Sequence, residues 1–274
     1  MRHRPLWITG LLTAAAWLVC IFLATPLVIV VITSLNSAAY SVFPPKGLSF
    51  RWYENLSSQP QFLQAFGNSV FTSLCSTILA LVAGTLAALA IQRYEFPGRN
   101  LLRAIFMSPM VVPKIALGVA YLILFSKLKI AGGLFALILG EAVTVLPFVL
   151  AIVGSTLANI KKEYEEAAAD LGGGPIRVFF TVTLPQMKLG LLLSGALSFI
   201  FTFDQVETAL LILRPPNYTL PIELFLYMEK WQDPTIAVVS TLMLLFAILL
   251  FFGLKLMLRS VPEVQKFVNK QHDK

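Results

Sequence analysis

Charge is what this chain has least of. Asp, Glu, Lys and Arg make up 13% of its 274 residues, against roughly 25% in an ordinary soluble domain. Histidine is confined to His3 and His272, at the two ends. Cysteine is limited to Cys20 and Cys75, both within apolar runs. They read as small buried hydrophobes, not as a disulfide framework. No CxxC, HExxH or GxSxG occurs, which argues against a metal-dependent or nucleophile-based enzyme. The phosphate loop G-x-x-x-x-G-K-[ST] is missing as well. Gly172-Gly173-Gly174-Pro175 is rich in glycine but lacks the lysine and a preceding strand.

What the chain has instead is apolar length. It is 57% hydrophobic, with a mean hydropathy of +0.80. Six runs of roughly 20 residues or more predict an all-α membrane protein with six transmembrane helices in a single domain, 1–274. They fall near 6–35, 66–92, 101–125, 134–157, 189–213 and 234–258. The first follows Arg2, His3 and Arg4, but is too long for a cleaved signal and is read as a retained helix bent at Pro26. In the second, Ala80, Ala83, Gly84, Ala87 and Ala88 recur at three- and four-residue steps. Such a stripe lets two helix backbones approach closely, although a merely alanine-rich helix would read the same. Pro109 and Pro113 predict a hinge or a broken helix in the third run. Arg51-Trp52-Tyr53 suits a segment at headgroup level.

The net charge of +7 could suggest nucleic acid, but in a membrane protein positive charge collects on the cytoplasmic side. On the six-span topology, 14 of the 21 Lys and Arg fall on the side of the termini and 6 on the other. Both termini and the stretch 158–188 are therefore expected in the cytoplasm.

That stretch is the longest polar interruption after the second span. Tyr164, Ala167, Ala168 and Leu171 share one small apolar helical face, expected opposite Glu165 and Glu166. Gly172-Gly173-Gly174 should stop this helix and Pro175 open another, which Leu184-Pro185 would end. The product is a bent helical elbow joined to helices four and five. By physics alone, an amphipathic loop lying on lipid fits equally well.

A resemblance separates these two readings. Glu166-Ala167-Ala168, three residues, Gly172, nine residues, Val182, one residue and Leu184-Pro185 resemble the EAA loop of ABC importer permeases, with Val in place of Ile. The run 43–53, Phe203-Asp204-Gln205-Val206 and Thr219-Leu220-Pro221 look like the spermidine/putrescine-type branch. The resemblance implies a type I ABC importer permease fold in the bacterial inner membrane. It also implies that 158–188 is a coupling loop seated on an ATPase, with Tyr164, Glu166, Ala167, Ala168, Leu171, Gly172, Pro175, Leu184 and Pro185 as coupling residues. The expected partners are an ABC ATPase dimer, a second permease subunit forming a heterodimer, a periplasmic solute-binding protein and membrane lipid, with no nucleic acid. This chain would carry no cofactor; ATP and Mg would bind the partner ATPase.

Four ionisable residues stand out within the predicted spans: Lys114, Glu141, Asp204 and Glu207. Such groups are costly in a membrane and mark candidate substrate pathways. With a rise of about 1.5 Å per residue, all four sit in the outer half, and Glu207 lies one turn beyond Asp204 on one face of helix five. Lys114 could instead pair structurally with Glu141 or Asp204. The surplus of carboxylates suits a cation such as a polyamine. An ion-coupled secondary transporter is the alternative, but it predicts internal repeats and more midplane charge.

Overall fold

A computed structural model describes residues 6–259, with side chains from 10 to 257. Among these residues there is no strand, and only two isolated backbone bridges, Asn36 with Leu48 and Gly132 with Leu213. Thirteen α-helices follow one another. Four are long and apolar enough to cross a membrane: α1 (Leu6–Ser34), α3 (Pro60–Arg93), α6 (Leu134–Ala158) and α13 (Thr235–Arg259). Two bent pairs bring the number to six if each is one span. The first joins α4 (Arg99–Met107), with its short 3-10 extension Ser108–Met110, to α5 (Lys114–Lys127) across a 105° bend. The second joins the segment Pro175–Gln186 to α10 (Lys188–Phe203) across 72°.

The prolines explain the first bend. Pro109 and Pro113 cannot donate backbone hydrogen bonds, and Pro113 is itself extended at ψ 133°. The predicted third run is thus a broken helix. The second predicted span is α3, which begins at Pro60, earlier than the apolar run suggests; a proline lacks an N–H that the first helical position does not need.

The chain divides into two compact units. The smaller runs to Phe62 and includes Leu224–Leu250. In it, Asn36 anchors the loop after α1. Its side-chain oxygen accepts from the amides of Ala38 and Lys46, and its amide donates to Val42. The expectation that Arg51-Trp52-Tyr53 offers its rings to headgroups is overturned for Trp52. That ring is buried on α2 (Arg51–Ser57), donates to the Ala38 carbonyl and carries the Arg51 guanidinium at 4.6 Å.

The larger unit, Leu63–Glu223 with the stretch from Phe251, holds the core. Ala80, Ala87, Ala88 and Ile91 of α3 pack on Val145, Val149, Leu150, Val153 and Leu157 of α6. Gly84 lies so close to α6 that an added Cβ would stand 2.7 Å from a Val149 methyl. The small-residue stripe is therefore a packing seam. Two turns further along α6, Gly190 of α10 presses on Thr156, where any side chain would collide.

Candidate functional site

Two places in the larger unit carry the residues singled out by sequence. The first is the elbow between α6 and α10. Its first arm is α7 (Lys162–Asp170), and its second begins with α8 (Pro175–Val178). The corner between them is a complete Schellman closure. Gly172 sits at φ +85°, its amide donates to Ala169 and the Gly173 amide donates to Ala168. The left-handed conformation favours glycine at 172. At Gly173, a Cβ would fall 2.7 Å from the Ala168 carbonyl oxygen. Pro175 opens α8, where its missing N–H costs nothing.

Leu184-Pro185 was expected to end this second arm, but the helix runs on. Pro185 has no amide to offer the carbonyl four residues back, and the helix widens into a π turn over Phe179–Thr183. It then continues as α9 (Leu184–Gln186). The bend falls instead at Met187, which is fully buried in the core between α3 and α6.

The apolar side of the elbow points outward. Leu171 is 90% exposed and Ile176 76%, with Tyr164 and Phe180 more than half exposed. Glu166, Ala167, Gly172, Pro175 and Pro185 are exposed too, and Ala168 and Leu184 are half-buried. Glu165 departs from the expectation. It was placed with Glu166 on the polar side, but it turns inward. Arg93, at the end of α3, sets Nε 2.9 Å from its Oε2 and donates from Nη2 to Oε1 at 3.2 Å. The buried Thr183 hydroxyl donates to the same Oε1 at 2.8 Å. Arg93 also donates to the Ile160 carbonyl. Sequence reasoning missed this group; the available signal was a lone arginine closing the apolar run of α3.

The second place lies where α10 stops. The predicted fifth helix is not continuous. It ends at Phe203 and restarts as α11 (Glu207–Ile212), so Asp204 and Glu207 do not share one helical face. Just before the break the Thr202 hydroxyl bonds back to the Ser198 and Phe199 carbonyls. Asp204 caps α10 and is exposed. Glu207 opens α11.

Lys114, the first residue of α5, reaches neither Glu141 nor Asp204 as an ion pair. It donates to the Oε1 of buried Gln205 at 3.0 Å, and Gln205 donates to Glu207 Oε2 at 3.0 Å. Gln205, noted in the sequence only as part of the run 203–206 and given no role there, thus joins two of the four predicted residues. The two breaks meet because α5 and α11 pack tightly: a Cβ on Gly118 would stand 3.2 Å from the Thr208 Cα.

Glu141 of α6 is 2% exposed and its Oε2 has no hydrogen-bond partner. Lys114 is near enough to act on it electrostatically. Buried hydroxyls of Ser73, Thr77, Ser198 and Thr208 are also unpartnered. Unsatisfied polar groups at this density are unusual in a folded interior. No group of three or more His, Cys, Asp and Glu suited to a metal occurs among the described residues.

Comparison with known proteins places this geometry. The family "Binding-protein-dependent transport system inner membrane component" matches residues 76–261. The chain is 30% identical over 230 residues to the putrescine transport system permease protein PotI of Escherichia coli strain K12, covering 81% of this chain and 82% of that one. It is 26% identical over 238 residues to the spermidine/putrescine transport system permease protein PotC of the same strain, covering 87% and 90%. Among solved structures, a bacterial ABC transporter involved in the import of the acidic polysaccharide alginate aligns with a TM-score of 0.75 at 17% identity, covering 95% of this chain and 99% of that one. The fold is that of an ABC importer permease.

Proposed function

Since the chain belongs to the binding-protein-dependent transport system inner membrane components, we propose that it forms half of the import pathway for a small organic cation of the polyamine class. It is the transmembrane subunit of an ATP-driven importer, a multi-pass inner-membrane protein and not itself an enzyme. Such permeases work with an ATPase, a substrate-binding protein and a second permease. Family membership sets aside the ion-coupled alternative. In our reading the second permease is a different chain, and ATP with Mg binds at the ATPase dimer.

The observation that carries the coupling role is the elbow's outward apolar side. Tyr164, Leu171, Ile176 and Phe180 stand exposed on a base whose corner is fully hydrogen-bonded. An apolar side on a stiff base suits a protein groove. In our reading it faces the cytoplasm and seats in the ATPase. ATP binding closes the motor dimer, the elbow moves with it, and the pathway opens outward to accept solute from the docked receptor. Hydrolysis resets it.

The substrate class rests on charge. Glu207 is linked to Lys114 through Gln205, Glu141 lies within electrostatic reach of Lys114, and Asp204 precedes Gln205 in the chain, so that carboxylates outnumber the cation among these residues. The surplus of negative charge favours a cationic solute. The putrescine and spermidine/putrescine permeases similar to this chain support the same class.

The test is affinity isolation of the complex, followed by uptake of radiolabelled putrescine in vesicles. Co-purification of an ATPase with ATP-dependent putrescine uptake is the expected result. Isolation without any ATPase would overturn the coupling role, and uptake restricted to anions or sugars would overturn the substrate class.

A further inference from the structure

The elbow is covalently continuous with α6 and α10, and those helices would be the obvious recipients of its motion. The Arg93–Glu165–Thr183 group adds a third. The Glu165 Oε1 accepts one hydrogen bond from Arg93 Nη2 of α3 and one from the hydroxyl of Thr183, while Arg93 Nε stands 2.9 Å from Oε2 as an ion contact without a hydrogen bond. Glu165 belongs to the elbow's first arm, Thr183 to its second, and Arg93 to the end of a 34-residue helix. The side chains of Arg93 and Glu165 are only 12% and 19% exposed. An ion pair this sheltered, tied by a charge-assisted hydrogen bond, holds its two elements together more firmly than an exposed pair would.

We infer that this group is the fastener that makes the two arms of the elbow move as one body with α3. Arg93, Glu165 and Thr183 are positioning residues: they touch neither solute nor nucleotide, and they direct displacement of the elbow into the α3–α6 seam. Without the fastener the elbow could still seat on its partner, since its exposed face contains none of the three residues. Its movement would then be taken up in the loop connections at Asn159–Lys161 and Met187. The inference rests on the proposed coupling role of the elbow.

The test uses the intact complex isolated through this subunit, reconstituted in proteoliposomes. ATP hydrolysis and putrescine uptake are measured on the same preparation. If the wild-type complex lacks an ATPase or ATP-dependent uptake, the coupling role itself fails.

With a coupled wild type, R93E and E165R are each expected to lower solute imported per ATP hydrolysed about tenfold, the scale of a typical coupling free energy. ATPase co-purification should be unchanged. The exchanged pair R93E/E165R should recover most of the ratio. T183V, which leaves the ion pair in place, should lower it by a smaller factor. Should a single variant fail to assemble, the exchanged pair and T183V still decide. An unchanged ratio in T183V and either single variant, or a swap no better than the single changes, would overturn the inference.

Discussion

The elbow between α6 and α10 and the break between α10 and α11 both interrupt a helix, but they do so in opposite ways. At the elbow the corner closes on its own backbone, and Arg93 Nε is the one atom of the neighbouring ion pair that makes no hydrogen bond. Gly172 and Gly173 return their amides to α7, Pro175 needs none, and Glu165 is held by Arg93 and Thr183. At the break a single side chain, Gln205, spans the gap between Lys114 and Glu207. Around it, Glu141, Ser198 and Thr208 keep buried polar atoms without partners. A corner closed by its own backbone amides holds one shape, and so can carry force. A region with unused donors and acceptors can take them up with a solute. Under the proposed function, the same device, a stopped helix, serves stiffness in one place and reception in the other.

Substitutions can break this comparison at either end. The largest effect is expected from Gly172→Pro. Proline holds φ near −65° and removes the amide bonded to Ala169, so the left-handed corner cannot form. Uptake should fall about a hundredfold, the equivalent of losing some 3 kcal/mol, while the protein still inserts. Membrane fractionation with an uptake assay reads both. Normal transport would show that the corner is not the stiff element.

Gly173→Ala comes next. Its methyl would meet the Ala168 carbonyl, and overpacking of this kind costs about 1–3 kcal/mol. The thermal transition of the purified protein should drop, and ATP-dependent uptake with it. At the other end, Asp204→Asn and Glu207→Gln should each weaken putrescine uptake about tenfold, the scale of 1.4 kcal/mol of lost charge interaction. ATPase co-purification should not change. Equal loss of uptake and of ATPase binding would erase the distinction between the two regions.

The smallest effect belongs to Gln205→Leu. It removes two hydrogen bonds of about 1 kcal/mol each, but frees Lys114 and Glu207 to approach one another. Uptake should change by only a few fold, with the half-saturating solute concentration moving more than the maximal rate.

Much of this was legible in the residues. The apolar runs gave the spans, and the spacing of Ala80, Gly84, Ala87 and Ala88 marked a seam. Gly172 and Pro175 marked a corner, because turn chemistry is local. The break after Phe203 was not legible. Asp204 and Gln205 sit in an otherwise apolar run, and neither proline nor glycine marks the stop. Glu165 was misjudged for a different reason. Its helical phase suggested the polar side, but Arg93, 72 residues earlier, decided its direction, and no local pattern reports a partner that distant.

The α3–α6 seam has one more consequence. A Val149 methyl sits in the notch that Gly84 leaves, with Ala80 and Ala88 one turn to either side. A tooth in a notch resists sliding, because a small axial slip drives it against the flanking methyls. A push arriving at the Arg93 end therefore carries both rods together instead of letting one run past the other.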